Sequence, residues 1–268
     1  MKYDPMEYIL EFAKLKEDIK LKNRYFVKSP ILNDIQKYSE KSTITIEKGE
    51  KLWRSRKFTA SDNRRLLEID MPKSFQEEVI NDLCTEYGGP FWGYDEKESY
   101  TPPSSFASDA RANPKYISYL YTARDIITAT SEIRPRPNTL VNVAEIELVD
   151  NLKIYDFTFW GCSSDSRFDS FYSTISSEFS TPVDGELEDY LVSQYFSEFI
   201  KSIGYDGIQY SSSMRGYKSG TRLGLGNCVT VFNPEKCKVV GSKLYRVNKV
   251  EILTDCVFPK DSNNNSVS

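Results

Sequence analysis

The side chains available for chemistry are limited by one feature of the composition: the 268-residue chain contains no histidine. Ser–His–Asp and Cys–His catalysis, histidine general bases and histidine metal ligands are therefore excluded. An enzyme with this sequence must work with carboxylates, arginines, hydroxyls and tyrosines. That set favours a reaction in which positive charge develops on the substrate, because a carboxylate can stabilise such a charge directly.

Cysteine usage argues against both a disulfide framework and a structural zinc site. The chain has five cysteines, an odd number, and none forms a CxxC pair. We therefore expect no metal. No apolar run approaches the roughly 20 residues that span a bilayer, and the first residues lack a small-residue cleavage site. We expect a cytoplasmic protein without membrane contact.

The net charge of the chain gives no indication of a polyanionic partner such as nucleic acid. With 35 Lys and Arg against 39 Asp and Glu, the formal net charge is −4. The basic residues are scattered along the chain, so no stripe that could follow a phosphate backbone is visible. We predict no direct binding to nucleic acid.

The N-terminal residues have the spacing of an amphipathic helix. Residues 5–22 carry one apolar set at Met6, Ile9, Leu10 and Ala13, and a second set continues that surface at Phe12, Leu15 and Ile19. Packing on the main domain is the favoured interpretation, and a separate partner-binding element remains open. The predicted organisation is an N-terminal helical extension (1–45), a main domain (46–250) and a C-terminal tail (251–268) with a disordered end.

Short strands and helices alternate irregularly after residue 43. Strands are predicted at 51–58, 119–121, 139–148, 152–157, 207–211 and 228–232, and helices at 125–133 and 191–203. Residues 85–114 are predicted to form a long structured loop, and residues 162–188 an insertion or lid. This mixture predicts an α+β fold. Gly224-Leu-Gly226 lacks the third glycine and the following helix of a dinucleotide-binding βαβ motif.

Five blocks in order resemble the RES family. They are Leu52-Trp-Arg-Ser-Arg56, Arg111-Ala-Asn-Pro114, Tyr119-Leu-Tyr-Thr-Ala123 with Thr128-Ala-Thr-Ser-Glu132, Val143-Ala144 with Leu152-Lys-Ile-Tyr-Asp156, and Gly204-Tyr-Asp-Gly-Ile208 with Ser212 and 226–232. Each block alone is weakly specific, whereas five in the right order are strong. The resemblance covers roughly residues 48–247.

The resemblance implies a fold, a substrate and a partner. The fold would be a mixed, mostly antiparallel sheet with flanking helices around an NAD cleft, as in ADP-ribosyltransferases. NAD+ would be the substrate, with no further cofactor, and phosphate or water would accept the ADP-ribose. The family also implies a toxin paired with a helix-turn-helix antitoxin. Transfer of ADP-ribose to a protein and a non-catalytic nucleotide-binding module are the alternatives.

The resemblance also assigns roles to single residues. Cleavage of the nicotinamide–ribose bond passes through an oxocarbenium-like centre, and Glu132 is the carboxylate that would stabilise it. Tyr121 would stack on nicotinamide, although core packing competes with this role because Tyr119 shares its strand parity. Ser212, rather than its neighbours Ser211 and Ser213, would hydrogen-bond the substrate.

Arginines are the predicted ligands of the pyrophosphate. Arg54 and Arg111 would bind it through their planar guanidinium groups, and Arg56 shares the strand face of Arg54. Asn227 is a further NAD-binding candidate, although a role in shaping a turn is the favoured interpretation. Arg136 stands where some members of the family have a histidine.

Overall fold

The computed structural model describes residues 4–22, 25–58, 93–158, 164–182, 190–215 and 226–251. The helices in these ranges are α1 (Pro5–Glu17, continued by a π-helical turn at Asp18–Lys22), α2 (Pro30–Lys37), α3 (Glu96–Ser99), α4 (Ile126–Glu132), α5 (Ser166–Ser180) and α6 (Leu191–Ser202). The strands are β1 (Thr43–Ile46), β2 (Lys51–Phe58), β3 (Leu120–Ala123), β4 (Leu140–Leu148), β5 (Leu152–Asp156), β6 (Gly207–Ser211), β7 (Asn227–Val231) and β8 (Cys237–Arg246). Among the helices described here, none is both long and apolar enough to cross a bilayer.

The strands form one mixed sheet in the order β1-β5-β6-β7-β3-β2-β4-β8. Every neighbouring pair is antiparallel except β5 and β6. The one parallel connection needs a long crossover, and the chain between β5 and β6 includes helices α5 and α6. The predicted α+β class with a mostly antiparallel sheet is confirmed.

The two faces of the sheet bury different cores. Alternate side chains on one face form an aliphatic cluster that draws on β1, β2, β3, β4, β5, β7 and β8, and includes Leu52, Leu120 and Ile146. The other face carries an aromatic cluster, to which helices α1, α2, α5 and α6 contribute. We call these the aliphatic face and the helical face. Because successive side chains along a strand point to opposite faces, every second residue of a strand lies on the same face.

Helix α1 is part of the main core. Its buried residues Tyr8, Phe12 and Leu15 belong to the aromatic cluster of the helical face, and the ring of Phe12 stacks on that of Phe196 in α6 with centroids 6.2 Å apart. The other apolar set of this helix, which includes Met6 and Leu10, is exposed. Packing on the main domain therefore uses only the second of the two apolar sets that the sequence shows.

A partly buried ion cluster connects the two N-terminal helices to α5. Arg167 at the start of α5 donates to Glu11 of α1 through Nη2 at 2.9 Å, and to the buried Asp34 of α2 through Nε at 3.0 Å. Burial raises the pKa of Asp34, and the bonds from Arg167 oppose that rise. Removing one partner of such a cluster leaves an uncompensated buried charge, so the three helices are held together.

Residues 162–188 were predicted to form an insertion or lid, and for the described part this is wrong. Helix α5 occupies 166–180, and Phe168, Phe171, Ile175 and Phe179 lie in the main core. These residues recur at helical spacing, but the serines between them hide the pattern in the sequence. The stretch is therefore a core element of the helical face.

The predicted C-terminal tail and its disordered end lie outside the described residues apart from residue 251. The predicted boundaries at 45 and 250 stay predictions. Other sequence-based elements agree closely: the strand predicted at 51–58 is β2, and the helix predicted at 125–133 is α4 with Asp125 as its N-cap.

We predict that Phe12→Ala lowers the free energy of unfolding by about 3 kcal/mol, because it removes a buried ring between α1 and α6. The matched control is Leu10→Ala in the same helix, whose side chain is 64% exposed, and it should change stability by less than about 0.5 kcal/mol. Urea denaturation measures both. An equal loss in the two variants would contradict the assignment of the buried face.

Candidate functional site

The site lies where strands β2 and β3 separate. The two strands share a single register pair, Trp53 with Ala123, and beyond it β2 continues along β4 while β3 continues along β7. Helix α4 packs on β2 at this point, where the hydroxyls of Ser55 and Thr130 are 3.2 Å apart. Asp125 caps the helix by accepting from the backbone N–H of Thr128 at 2.8 Å. Glu132 and Ile133, at the far end of α4, line a cleft together with residues of β2 and β3.

Glu132, the last residue of α4, meets Ser212 at this opening. The Ser212 hydroxyl donates to Oε1 of Glu132 at 2.5 Å and accepts from the backbone N–H of Met214 at 3.1 Å. The backbone N–H of Ser212 donates to the carbonyl of Gly226 at 2.8 Å. The hydroxyl is therefore oriented from both sides, which fixes one oxygen of the carboxylate in a defined direction.

Glu132 lines a cleft of about 130 Å³. Its lining residues are Trp53, Arg54, Ser55, Tyr121, Thr122, Ala129, Glu132, Ile133, Tyr210 and Cys228. The structure therefore brings Glu132, Tyr121 and Arg54 to one cleft, with Ser212 bonded to its carboxylate. Small-ligand pockets usually measure roughly 300–1,000 Å³, so the cleft fits a single ring and not a whole dinucleotide.

Tyr210 and Cys228 also line the cleft, although no sequence pattern had indicated them. They face each other across strands β6 and β7, on the helical face. Burial, with the nearby charge of Glu132, raises the pKa of the Cys228 thiol well above its usual value. Burial likewise raises the pKa of the Tyr210 hydroxyl. Both groups stay protonated at neutral pH, so Cys228 is a neutral neighbour of the carboxylate and not a nucleophile.

Tyr121 contributes its ring to the cleft, while its hydroxyl is already used. The hydroxyl donates to Oδ1 of Asn113 at 2.6 Å and accepts from the backbone N–H of Ala112 at 3.0 Å. Burial raises the pKa of this hydroxyl. Tyr121 therefore anchors the turn that carries Arg111, and a ligand in the cleft would meet the face of its ring. Tyr119 instead packs on Phe232 in the core.

Arg54 lines the cleft, but its guanidinium lies away from the carboxylate side of β2. Because Ser55 contacts α4, alternation directs the Arg54 side chain to the aliphatic face, where Nη1 donates to the carbonyl of Ser99 at 3.0 Å. Burial, and then the charge of Arg56, lower the pKa of Arg54 to about 10. The group remains a cation at neutral pH, and no carboxylate of the described ranges lies within 4.0 Å of it.

Arg56 and Asn227 do not line the cleft. The guanidinium carbon of Arg56 lies 4.4 Å from the ring centroid of Tyr94, and its Nη1 donates to the carbonyl of Glu98. Asn227 is the first residue of β7, and its carbonyl accepts from the N–H of Arg124 at 3.0 Å. The position of Asn227 agrees with the structural alternative given for it, and the NAD-binding role of both residues stays a prediction.

Arg111 is bound to the end of helix α5. Its Nη1 donates to the carbonyl of Glu178 at 3.2 Å and its Nη2 to that of Thr181 at 2.9 Å. A cation is favourable at this position, since the last carbonyls of a helix carry partial negative charge. Arg111 does not line the cleft, but its charge opposes the rise in the pKa of both Tyr210 and Cys228. It therefore supplies positive potential to one side of the cleft.

We predict that Tyr121→Phe lowers the free energy of unfolding by about 1–2 kcal/mol, because it removes the hydrogen-bond partner of Asn113 Oδ1 and of the Ala112 N–H. Tyr116→Phe is the matched control: Tyr116 is 59% exposed, and its loss should cost less than about 0.5 kcal/mol. Thermal unfolding of both variants gives the comparison. Unchanged stability of Tyr121→Phe would show that this hydroxyl is free to serve a ligand.

Comparison with known proteins places the chain in a family. No curated protein sequence matches it. Among solved structures, the chain is similar to a chain of the M. tuberculosis MbcT–MbcA toxin–antitoxin complex, at 11% identity and a TM-score of 0.45, over 82% of this chain and 93% of that one. The model of the RES domain matches residues 87–247, which is more than half of the 268 residues and includes four of the five site blocks. The chain therefore belongs to the RES domain family.

Proposed function

We propose that this protein cleaves NAD+ at the bond between nicotinamide and ribose, using Glu132 to stabilise the charge that develops on the sugar. The observation that carries this proposal is the carboxylate of Glu132 in a ring-sized cleft, oriented by Ser212. A fixed carboxylate contributes most when charge appears only in the transition state, because no reorganisation is then needed. In a chain without histidine, a carboxylate is also the natural group for this task.

The movement of electrons during cleavage of the nicotinamide–ribose bond explains why one carboxylate can stabilise the transition state. When the C1′–N bond breaks, its electron pair moves to the nicotinamide nitrogen and neutralises the pyridinium. Positive charge then appears on C1′ and the ring oxygen of the ribose, where Glu132 offsets it. The carboxylate oxygen that Ser212 does not hold can accept a bond from the ribose 2′-OH. Nicotinamide would stack on the Tyr121 ring beside Tyr210.

The structure supports the predicted ligands of the pyrophosphate to different degrees. Arg54 lines the cleft and has no carboxylate partner in the described ranges, but its guanidinium lies on the aliphatic face and donates to the carbonyl of Ser99, which weakens its support. Arg111 adds positive potential but is already bound by two carbonyls. Arg56 and Asn227 lie outside the cleft, and we assign them at most an indirect role. Ser212 acts chiefly by holding Glu132.

The cleft does not select the nucleophile that completes the reaction. Inorganic phosphate would give a phosphorylated ADP-ribose, water would give ADP-ribose, and a side chain of another protein would give an ADP-ribosylated target. Each product has its own mass and phosphorus spectrum. Analysis of the products of purified protein, with and without phosphate and with candidate proteins added, therefore assigns the reaction.

We predict that Glu132→Gln lowers NAD+ consumption by about 100-fold or more, since losing one contact to the transition state costs roughly 3 kcal/mol. The melting temperature should change little, because the amide keeps the bond from Ser212. Glu145→Gln is the matched control: Glu145 lies on β4, pairs with Lys51 and is outside the cleft. NMR of NAD+ over time measures all three proteins. Undiminished turnover in Glu132→Gln would refute the proposal, and wild-type protein that binds NAD+ without consuming it would favour a binding module.

Family membership also supports the proposal that the protein is a toxin, held inactive by an antitoxin that the resemblance identifies as a helix-turn-helix protein. We predict that induced expression in bacteria stops growth and lowers cellular NAD+, whereas Glu132→Gln at equal protein level does neither. Plating and NAD+ extraction provide the two readouts. Growth arrest by the Glu132→Gln variant would separate toxicity from catalysis.

A further inference from the structure

A larger cavity of about 860 Å³ lies beside the cleft and takes no part in the chemistry described above. Its walls are one side of α4, the segment that follows Ser212, and the end of β8 with the residues after it. Arg134, Arg215, Arg246 and Lys249 contribute cationic groups to it, Glu251 contributes a carboxylate, and Tyr245 contributes an aromatic ring. We call it the basic groove.

Two of its guanidinium groups are available to a ligand. Lys249 pairs with Glu251, but no carboxylate of the described ranges lies within 4.0 Å of Arg134 or Arg215. The Nε atom of Arg215 is buried and has no hydrogen-bond partner among the described residues. A buried donor without a partner is costly, and an acceptor on a ligand in the groove would satisfy it.

Local packing holds Arg215 in place. A Cβ added at Gly226 would lie 2.1 Å from Oγ1 of Thr128 and 3.0 Å from Cγ of Arg215. Glycine at position 226 therefore allows this segment to approach α4 closely, with the stem of Arg215 packed beside it. Arg134 follows α4 directly and has a φ of +46°, a conformation that favours glycine. An arginine at this position therefore carries backbone strain, while its guanidinium lies in the groove.

The basic groove meets the cleft at the end of α4. Ala129 and Glu132 line the cleft, while Thr130 and Arg134 line the groove, so the helix end is a wall of both. The second wall is also shared, since Ser212 bonds Glu132 and Arg215 comes three residues later. A ligand whose reacting end is in the cleft can therefore extend past residue 132 into the groove.

We propose that the basic groove binds the adenosine 5′-phosphate arm of the dinucleotide, with Arg134 and Arg215 on the phosphate and Tyr245 against the base. The cleft accommodates one ring, whereas the groove has the volume of an ordinary small-ligand pocket. Planar guanidinium groups suit phosphate, and an aromatic ring suits a nucleobase. The identity of the ligand rests on the proposed function, but the site itself can be tested without turnover.

The test titrates AMP and adenosine into the wild type and into the double variant Arg134→Gln with Arg215→Gln, followed by calorimetry. We expect AMP to bind the wild type at least about tenfold more tightly than adenosine does, and the double variant to lose about tenfold or more of the AMP affinity. Glutamine keeps the stem that packs near Gly226. Arg136→Gln is the matched control, since Arg136 is exposed and lies outside the groove, and it should bind AMP as the wild type does.

Kinetics separate this inference from the proposed function. In the double variant the KM for NAD+ should rise about tenfold with kcat nearly unchanged, and the KM for nicotinamide mononucleotide, which lacks the arm, should stay the same. Equal AMP affinity in wild type and double variant, or an equal loss in Arg136→Gln, would overturn the groove assignment even if NAD+ is cleaved. Wild-type protein that binds AMP through these arginines yet never consumes NAD+ would overturn the proposed function and leave the groove supported.

Discussion

The hydrogen bond between Ser212 and Glu132 joins two segments that are 80 residues apart in the chain, and the arrangement of the site depends on it. One partner ends a short helix, and the other follows the strand β6. For the two to meet, α4 must pack where β2 leaves β3, and β7 must lie between β6 and β3. The carboxylate therefore has a defined direction only when the whole sheet is assembled.

The alternation of side chains along each strand decides on which face of the sheet a functional group lies. The side chains of Tyr121, Tyr210 and Cys228 point toward the helical face, where the carboxylate lies. Leu52 and Leu120 alternate with these positions and lie in the aliphatic core. The side chain of Arg54 points to the same face as that of Leu52. A strand residue can thus line the cleft and still send its charged end elsewhere. Cations on loops and helix ends, such as Arg134 and Arg215, are not limited in this way.

The helical face has a structural role that supports the cleft. Helix α5 supplies aromatic residues to the core and also the carbonyls that hold Arg111. The ion cluster of Arg167, Glu11 and Asp34 ties α1 and α2 to the same helix. Loss of the N-terminal helices would therefore loosen α5 and, through it, the turn next to Tyr121. The N-terminal region contributes to the site by stability and not by contact.

The sequence by itself determined the class of fold and most of the active residue types. Absence of histidine left a carboxylate as the central group, order and spacing of five blocks indicated the family, and an N-cap at Asp125 located the helix that ends at Glu132. These features are local, so they can be read along the chain. Ser212 was separated from its two neighbouring serines only by its distance from a glycine in the family pattern, and its bond to Glu132 agrees with that choice.

Tertiary structure alone decided which of these groups meet. Tyr210 and Cys228 enter the cleft because β6 pairs with β7, a contact that no local pattern encodes. Arg54 and Arg56 bond backbone carbonyls near α3, which lies more than 40 residues later in the chain. Helix α5 escaped sequence analysis because serines, which are weak helix formers, occupy many of its positions, including the buried positions 176 and 180. Long-range pairing and burial are properties of the folded chain, and for that reason the roles of the arginines could not be assigned before the fold was known.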